Sequence, residues 1–166
     1  MEAGGVLPGS GIRVIKETFH SGNGYAMHET PAVPGVFSTF FSSKGITDAN
    51  NNFTFHVFLP EKAAKGVIVL LHGLNERNWD KYLQWAVRLA GDTGKPVILF
   101  PIAYHMNRSP VTWTDRHEMM KAVTSRLLSE PAARFTTFVN VALSIRMSVS
   151  PHRFFLSGFQ AVSDVV

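Results

Sequence analysis

Hydrophobic and polar positions divide the first part of the chain into short strand-like segments. Residues 12–20 and 53–60 alternate between apolar and polar side chains, which is typical of strands with one buried face. Residues 66–71 and 95–103 are instead almost continuously apolar, as in strands that are covered on both faces. Residues 36–43 are predicted to form a further, weaker strand.

A helix is predicted between the two continuously apolar segments, from about Trp79 to Ala90. Asn78 is a candidate N-cap residue, and Gly91 is expected to end the helix. A strand, a helix and a strand in this order predict a right-handed crossover between parallel strands. The pattern therefore predicts an α/β fold, in which helices flank a mostly parallel sheet and the first strands are antiparallel.

The last third of the chain is predicted to be a loop followed by helices. Residues 104–113 form the loop, and Asp115 and Glu118 stand in capping-box positions at the start of a helix. Residues 134–150 fit both an alternating strand and a helical stripe, and a helix is preferred because the segment follows a helix. Residues 154–166 have the pattern of a further helix.

Charge and composition narrow the possible partners. The net charge of +4 arises in residues 95–166, where eight basic residues face four acidic ones, whereas residues 1–94 carry eight of each. The basic residues are isolated from one another, so no nucleic-acid partner is predicted. The absence of cysteine excludes disulfides, thiolate metal sites and a cysteine nucleophile.

Localisation is predicted to be cytoplasmic. The N-terminus lacks a basic segment followed by an apolar one, so it does not have the pattern of a signal peptide. No apolar run approaches the roughly 20 residues of a membrane-spanning helix. The chain is therefore expected to have no membrane span.

The segment "LLHGLN" at residues 70–75 carries the most specific chemical signal. With the strands around it, over about residues 53–100, it resembles the α/β-hydrolase superfamily. The longer runs "HGLNERNWDKYLQWA" and "FPIAYHMNRSP" resemble an uncharacterised bacterial branch of that superfamily. The resemblance implies the N-terminal half of an α/β-hydrolase-like fold and a small acyl or ester substrate.

The resemblance also implies an oxyanion hole after the strand. His72 and Gly73 would form the oxyanion turn, and the backbone N–H of Leu74, or that of Asn75, would donate to the developing oxyanion. A fixed amide dipole stabilises this charge without having to reorganise. His72 is expected to orient the turn rather than to act as a general base. The alternative is a plain connection between a strand and a helix.

The loop after residue 103 is the best candidate for a substrate pocket, because open α/β sheets bind ligands at the carboxyl ends of their strands. The substrate-pocket candidates are Tyr104, His105, Asn107, Arg108 and Trp113. The alternative is a packed connecting loop. The helices that follow would form either a cap over the ligand or part of the core.

The chain has no complete catalytic triad in the order that the resemblance requires. It contains no G-x-S-x-G motif, since Phe155 and Phe159 flank Ser157 at positions that must be small. Neither Ser157 nor Ser163 is followed by a histidine, because the last one is His152. The catalytic serine and histidine are therefore expected outside this chain, which is interpreted as the N-terminal portion of a serine hydrolase and is expected to be inactive alone.

A rearranged triad that uses His105 or His117 with an earlier serine is the less favoured possibility. The segment "HEMMK" lacks the second histidine of a zinc signature, so no metal and no cofactor are predicted. The alternative function is a non-catalytic α/β binding or interaction module.

A single partial domain is predicted, with lead-in strands in 1–60, a β-α-β unit with the oxyanion turn in 61–103, and a loop with a helical cap-like region in 104–166. The strand at 97–103 is expected to present an open edge. That edge predicts self-association or pairing with a missing C-terminal half.

Overall fold

The computed structural model describes residues 4–22, 48–73, 76–149 and 151–166. The predicted strand at 36–43 lies outside these residues. The strands are β1 (Gly5–Leu7), β2 (Ile12–His20), β3 (Asn52–Pro60), β4 (Ile68–Leu70) and β5 (Val97–Leu99). The helices are α1 (Asp80–Thr93), α2 (Arg116–Ser129), α3 (Val141–Val149) and α4 (His152–Val165). Residues 48–51 are also helical, and short 3₁₀ turns span Met106–Arg108 and Val111–Trp113.

The sheet is mixed and mostly antiparallel, with the strand order β1-β2-β3-β5-β4. β3 runs antiparallel to both β2 and β5, and the β4–β5 pair is parallel. The prediction of a mostly parallel, α/β-hydrolase-like sheet is therefore wrong. The alternating segments form strands of nine residues, whereas each continuously apolar segment contributes only three strand residues, so antiparallel pairing dominates.

The exposed edge of the described sheet also differs from the expectation. β5 lies between β3 and β4, and β4 is the edge strand. Val67 and Leu71, which flank β4, are both half exposed. Continuous apolarity at 66–71 therefore does not reflect burial on both faces.

Helix α1 confirms the predicted helix after β4, but it ends later than expected. Gly91 lies inside the helix, and Gly94 closes it in the left-handed conformation with φ of 65°. Its N–H donates to the carbonyl of Ala90. At the other end the N–H of Asp80 donates to Oδ1 of Asn78 at 3.3 Å. Gly94 is thus the glycine that ends the helix, because only the C-terminal position requires a positive φ.

Apolar side chains form two separate clusters. The first joins α1 to the sheet through Ile12, Phe58, Tyr82, Ala86, Ala90, Val97 and Leu99. The second joins α2 and α3 to the loop after β5 through Ala103, Tyr104, Met119, Ala122, Val123, Val141 and Ile145. The carboxylate of Asp115 caps α2 by accepting from the N–H groups of His117 and Glu118, as the sequence predicts. The preference for a helix in 134–150 is confirmed from Val141 onward.

No helix in the described ranges has both the length and the apolar character that crossing a membrane would require.

Candidate functional site

The carboxyl ends of β4 and β5 lie side by side and are joined by His72. The N–H of Ile102 donates to Nε2 of His72 at 3.0 Å. Nδ1 of the same ring lies 2.9 Å from the carbonyl oxygen of Gly73. Because a carbonyl only accepts, Nδ1 carries a proton. Because Nε2 accepts from an N–H, it carries none, and the imidazole is therefore neutral. The ring therefore connects the turn after β4 to the loop after β5.

The surroundings of His72 favour this neutral form. The residue is only 5% exposed, and burial lowers its pKa from the ordinary value of 6.5. The hydrogen bond to Gly73 and the charge of Glu76 oppose that shift. Both ring nitrogens are engaged with the backbone, so His72 has no nitrogen free for proton transfer in this arrangement.

The predicted oxyanion turn is placed only in part. Leu74 and Asn75 lie outside the described residues, so their role as oxyanion donors stays a prediction. The N–H of Gly73 donates to the hydroxyl of Tyr82 at 2.8 Å. The backbone of Gly73 is not in the left-handed region, and an added Cβ would approach that hydroxyl only to 3.5 Å. Neither torsion nor space therefore requires a glycine at this position.

The loop after β5 contains two residues in a conformation that side chains disfavour. Tyr104 has φ of 63° and Met106 has φ of 50°, and both residues are buried. The N–H of Tyr104 donates to Oδ1 of Asn50 at 2.9 Å, which holds the backbone in place. Such strain costs of order 1–3 kcal/mol per residue and persists where the surroundings enforce it, often at functional sites.

Arg108, a predicted pocket residue, is fully buried and holds the loop instead. Its Nε donates to the carbonyl of Asn50 at 3.0 Å, and Nη1 donates to that of Pro101 at 3.1 Å. Nη2 forms an ion pair of 2.7 Å with Asp164. The guanidinium also lies 4.1 Å from the centre of the Phe53 ring. Burial lowers the pKa of Arg108, and the carboxylate of Asp164 opposes this shift.

The ion pair belongs to a buried polar network that fastens α4 to the end of the sheet. Oδ1 of Asp164 accepts from the hydroxyl of Ser21 at 2.6 Å. The side-chain amide of Gln160 donates to that hydroxyl at 3.0 Å and to Asn51 at 3.1 Å. It accepts from Asn50 at 2.8 Å. The sequence analysis did not predict this network. The one local feature that indicates it is the spacing of Gln160 and Asp164, which lie four residues apart on one helix face.

Three of the five predicted pocket residues line one small cleft of about 70 Å³ beside this loop: Tyr104, His105 and Trp113. Glu76 and Ser109 also line it. Asn107 does not, since its side chain donates to the carbonyl of Thr54 at 2.7 Å and to its hydroxyl at 3.2 Å.

The cleft contains groups that are capable of acid–base chemistry. Glu76 forms an ion pair with Lys81. The ring of His105 lies 5.3 Å from that of His72, with its Nδ1 3.0 Å from the carbonyl of Ala103. Within the described part of the chain, no group of three or more histidine, aspartate or glutamate residues is placed to hold a metal ion.

The hydroxyls of Ser109, which lines the cleft, and of Ser157 in α4 are both bonded to backbone carbonyls. Ser109 donates to the carbonyl of Met106 at 2.6 Å. Ser157 donates to the carbonyl of Phe154 at 2.6 Å from within α4, so it does not lie on a turn between a strand and a helix. Neither hydroxyl is arranged as a nucleophile in this structure.

Comparison with known proteins leads to one family. Neither the curated proteins nor the solved structures include a match to the chain. The family described as "Family of unknown function (DUF6051)" matches residues 24–166, which is most of the chain. The protein belongs to this family.

Proposed function

We propose that the chain forms the oxyanion-hole side of a serine hydrolase site for a small acyl or ester substrate. The observation that carries the proposal is the junction of the β4 and β5 carboxyl ends through His72. Glu76, three positions after Gly73, lines the cleft. A backbone amide held there, from Leu74 or Asn75, would stabilise a tetrahedral oxyanion.

The rigidity of the neighbouring loop supports the same proposal. Tyr104 and Met106 are held in strained conformations. The buried side chain of Arg108 fixes the loop through hydrogen bonds to the carbonyls of Asn50 and Pro101. Such a loop keeps His105 and Trp113 in fixed positions on the cleft wall. Catalysis depends on groups that are positioned before the substrate arrives. A volume of about 70 Å³ suits a short acyl group.

The proposal requires a serine and a histidine from outside residues 1–166. β4 is the edge strand of the described sheet that lies beside His72, whereas β1 forms the opposite edge, and the unpaired backbone groups of β4 can accept another strand. A strand paired there would run beside the His72–Gly73 turn. We therefore extend the proposal to a partner segment, from further chain or a second polypeptide, that pairs with β4 and supplies the nucleophile.

A fluorophosphonate probe tests the proposal on the product of the complete gene. We expect covalent labelling of one serine outside residues 1–166, together with hydrolysis of p-nitrophenyl acetate. Residues 1–166 alone are expected to give no turnover. Absence of labelling, or serine-dependent turnover by residues 1–166 alone, would contradict the proposal.

A matched pair of substitutions then tests whether this cleft holds the substrate. Trp113 lines the cleft, whereas Val111 lies in the same 3₁₀ turn and is 84% exposed. Trp113→Leu should change the ratio of kcat/KM for acetate and butyrate esters by about tenfold, as a change in an apolar pocket wall does. Val111→Ala should leave that ratio unchanged.

The alternative proposal is a non-catalytic binding module. The observation that favours it is the engagement of the Ser109 and Ser157 hydroxyls with backbone carbonyls. A complete gene product that the probe does not label, but whose unfolding temperature rises with an acyl ligand, would support this function instead.

A further inference from the structure

A second and much larger cleft lies between α1 and the sheet face on which α1 packs. Its volume is about 750 Å³, within the range of about 300–1,000 Å³ that small-molecule sites occupy. On the floor, Val14 of β2 lies opposite Phe58 of β3, and Lys16 lies opposite His56. Side chains of α1 and β1 form the walls. None of these residues lines the cleft at the carboxyl ends of β4 and β5.

Most of the cleft surface is apolar. The apolar side chains that line it are Val6, Leu7, Val14, Ile15, Phe58, Leu83 and Val87. Val6 and Leu83 are substantially exposed, so part of this apolar surface is in contact with water. Covering it with a hydrocarbon chain would remove that surface from water, which is the main driving force for binding an apolar group.

The charged residues that line the cleft are both basic, and Gln84 and His56 are its neutral polar residues. Lys16 and Arg88 line it, and Arg88 is already paired with Asp92 through an ion pair of 2.6 Å. Nδ1 of His56 is buried and has no hydrogen-bond partner among the described residues. Burial and the charge of Lys16 lower the pKa of His56. The neutral ring of His56 therefore adds no charge to the cleft, and its Nδ1 is shielded from it.

We propose that this cleft binds an amphiphile with a single negative charge, whose apolar chain lies between α1 and the sheet and whose anionic head lies at Lys16. An anionic oxygen pairs with the ammonium of Lys16. A cationic head of the same size is repelled by Lys16, and a neutral chain leaves the charge of Lys16 unpaired. The proposal does not depend on the hydrolase proposal, because the two clefts share no residue.

Titration calorimetry with two amphiphiles of equal chain length tests the head-group preference. Decanoate and decyltrimethylammonium are added to the purified chain below their micellar concentrations. We expect one decanoate per chain, bound about threefold more tightly than the cation, as expected for an ion pair at an exposed lysine. Equal affinities, or binding of decanoate that does not saturate at one per chain, would overturn the proposal.

Substitutions locate the site and separate binding from folding. Lys16→Met keeps the apolar stem and should weaken decanoate binding about threefold, without weakening binding of the cation. Lys65→Met, in the exposed segment before β4, is the matched control and should change neither affinity. Leu83→Trp, at the half-exposed rim, should fill the cleft and weaken both ligands. Unchanged decanoate binding in both Lys16→Met and Leu83→Trp, with native circular dichroism, would place the ligand elsewhere.

Discussion

Helices α1 and α4 are both attached to the sheet, but by opposite kinds of contact. α1 packs through an apolar face on which Ala86 and Ala90 are fully buried. α4 is fastened through Gln160 and Asp164, while Phe155 and Phe159 on the same helix are 65% and 63% exposed. Apolar contacts weaken by degrees when one group is removed. A buried polar network responds sharply, because each lost partner leaves another group unsatisfied.

The largest effect is expected from removing the cation of the α4 network. Arg108→Met leaves the buried carboxylate of Asp164 without its ion pair and removes two hydrogen bonds from the strained loop. Breaking a buried pair in this way should lower the free energy of unfolding by about 3–5 kcal/mol. Urea denaturation followed by circular dichroism measures the loss. Arg88→Met, which breaks an exposed pair with Asp92, should have no measurable effect.

A double substitution sharpens the distinction between the two kinds of contact. Arg108→Met combined with Asp164→Leu removes both charges of the buried pair. The double variant should unfold at a higher urea concentration than Arg108→Met alone, because no unpaired charge remains buried. If the two losses simply add, the network does not act as a unit, and the contrast with α1 fails.

A somewhat smaller loss is expected in the apolar cluster under α1. Leu99 is fully buried in β5 between the sheet and the helix. Leu99→Ala should cost about 3 kcal/mol through lost apolar burial and the cavity left behind. Leu99→Met should cost less, since volume is conserved. Comparable losses for Ala and Met would mean that shape rather than buried volume dominates here.

The glycines at the end of α1 should respond in opposite directions. Gly94 has φ of 65°, so Gly94→Ala should lower the free energy of unfolding by about 1 kcal/mol. Gly91 lies inside the helix, where an added Cβ would meet only Cδ1 of Ile12, at 4.0 Å. Gly91→Ala should therefore raise stability by up to about 1 kcal/mol. Thermal unfolding of both variants tests which glycine ends the helix, and a loss at Gly91 alone would contradict the structure.

The smallest effect is a pH dependence from His72. Burial lowers the pKa of His72 in the folded state below its ordinary value of 6.5. The stability that comes from the neutral ring is complete above that ordinary value and is lost as the pH falls toward the lowered folded pKa. Urea midpoints should therefore fall between about pH 7 and pH 5, and His72→Gln should reduce this slope. An equal slope in the unchanged protein and in His72→Gln would contradict this assignment.

Local sequence patterns predicted the local elements well. The helix after β4, the Asp115 cap and the preference for a helix in 134–150 are confirmed, because each depends on residues within a few positions of one another. Three of the five pocket candidates line one cleft, which follows from their position just after a strand. The prediction that most strands are parallel was wrong, because the apolar run at 66–71 contributes only a short edge strand.

The sequence by itself determined where the chain turns, where helices begin and which side chains are available beside the β4 and β5 ends. Only the tertiary structure decided that Arg108 is an anchor rather than a ligand-binding group, because its partner Asp164 is 56 positions away. The same holds for His56 and Lys16, whose common cleft arises from the register of β2 and β3 and the position of α1. Apolar burial on a helix or strand repeats with a regular sequence period, so the sequence can indicate it. Polar pairing between distant residues has no such period, so only the tertiary structure reveals it.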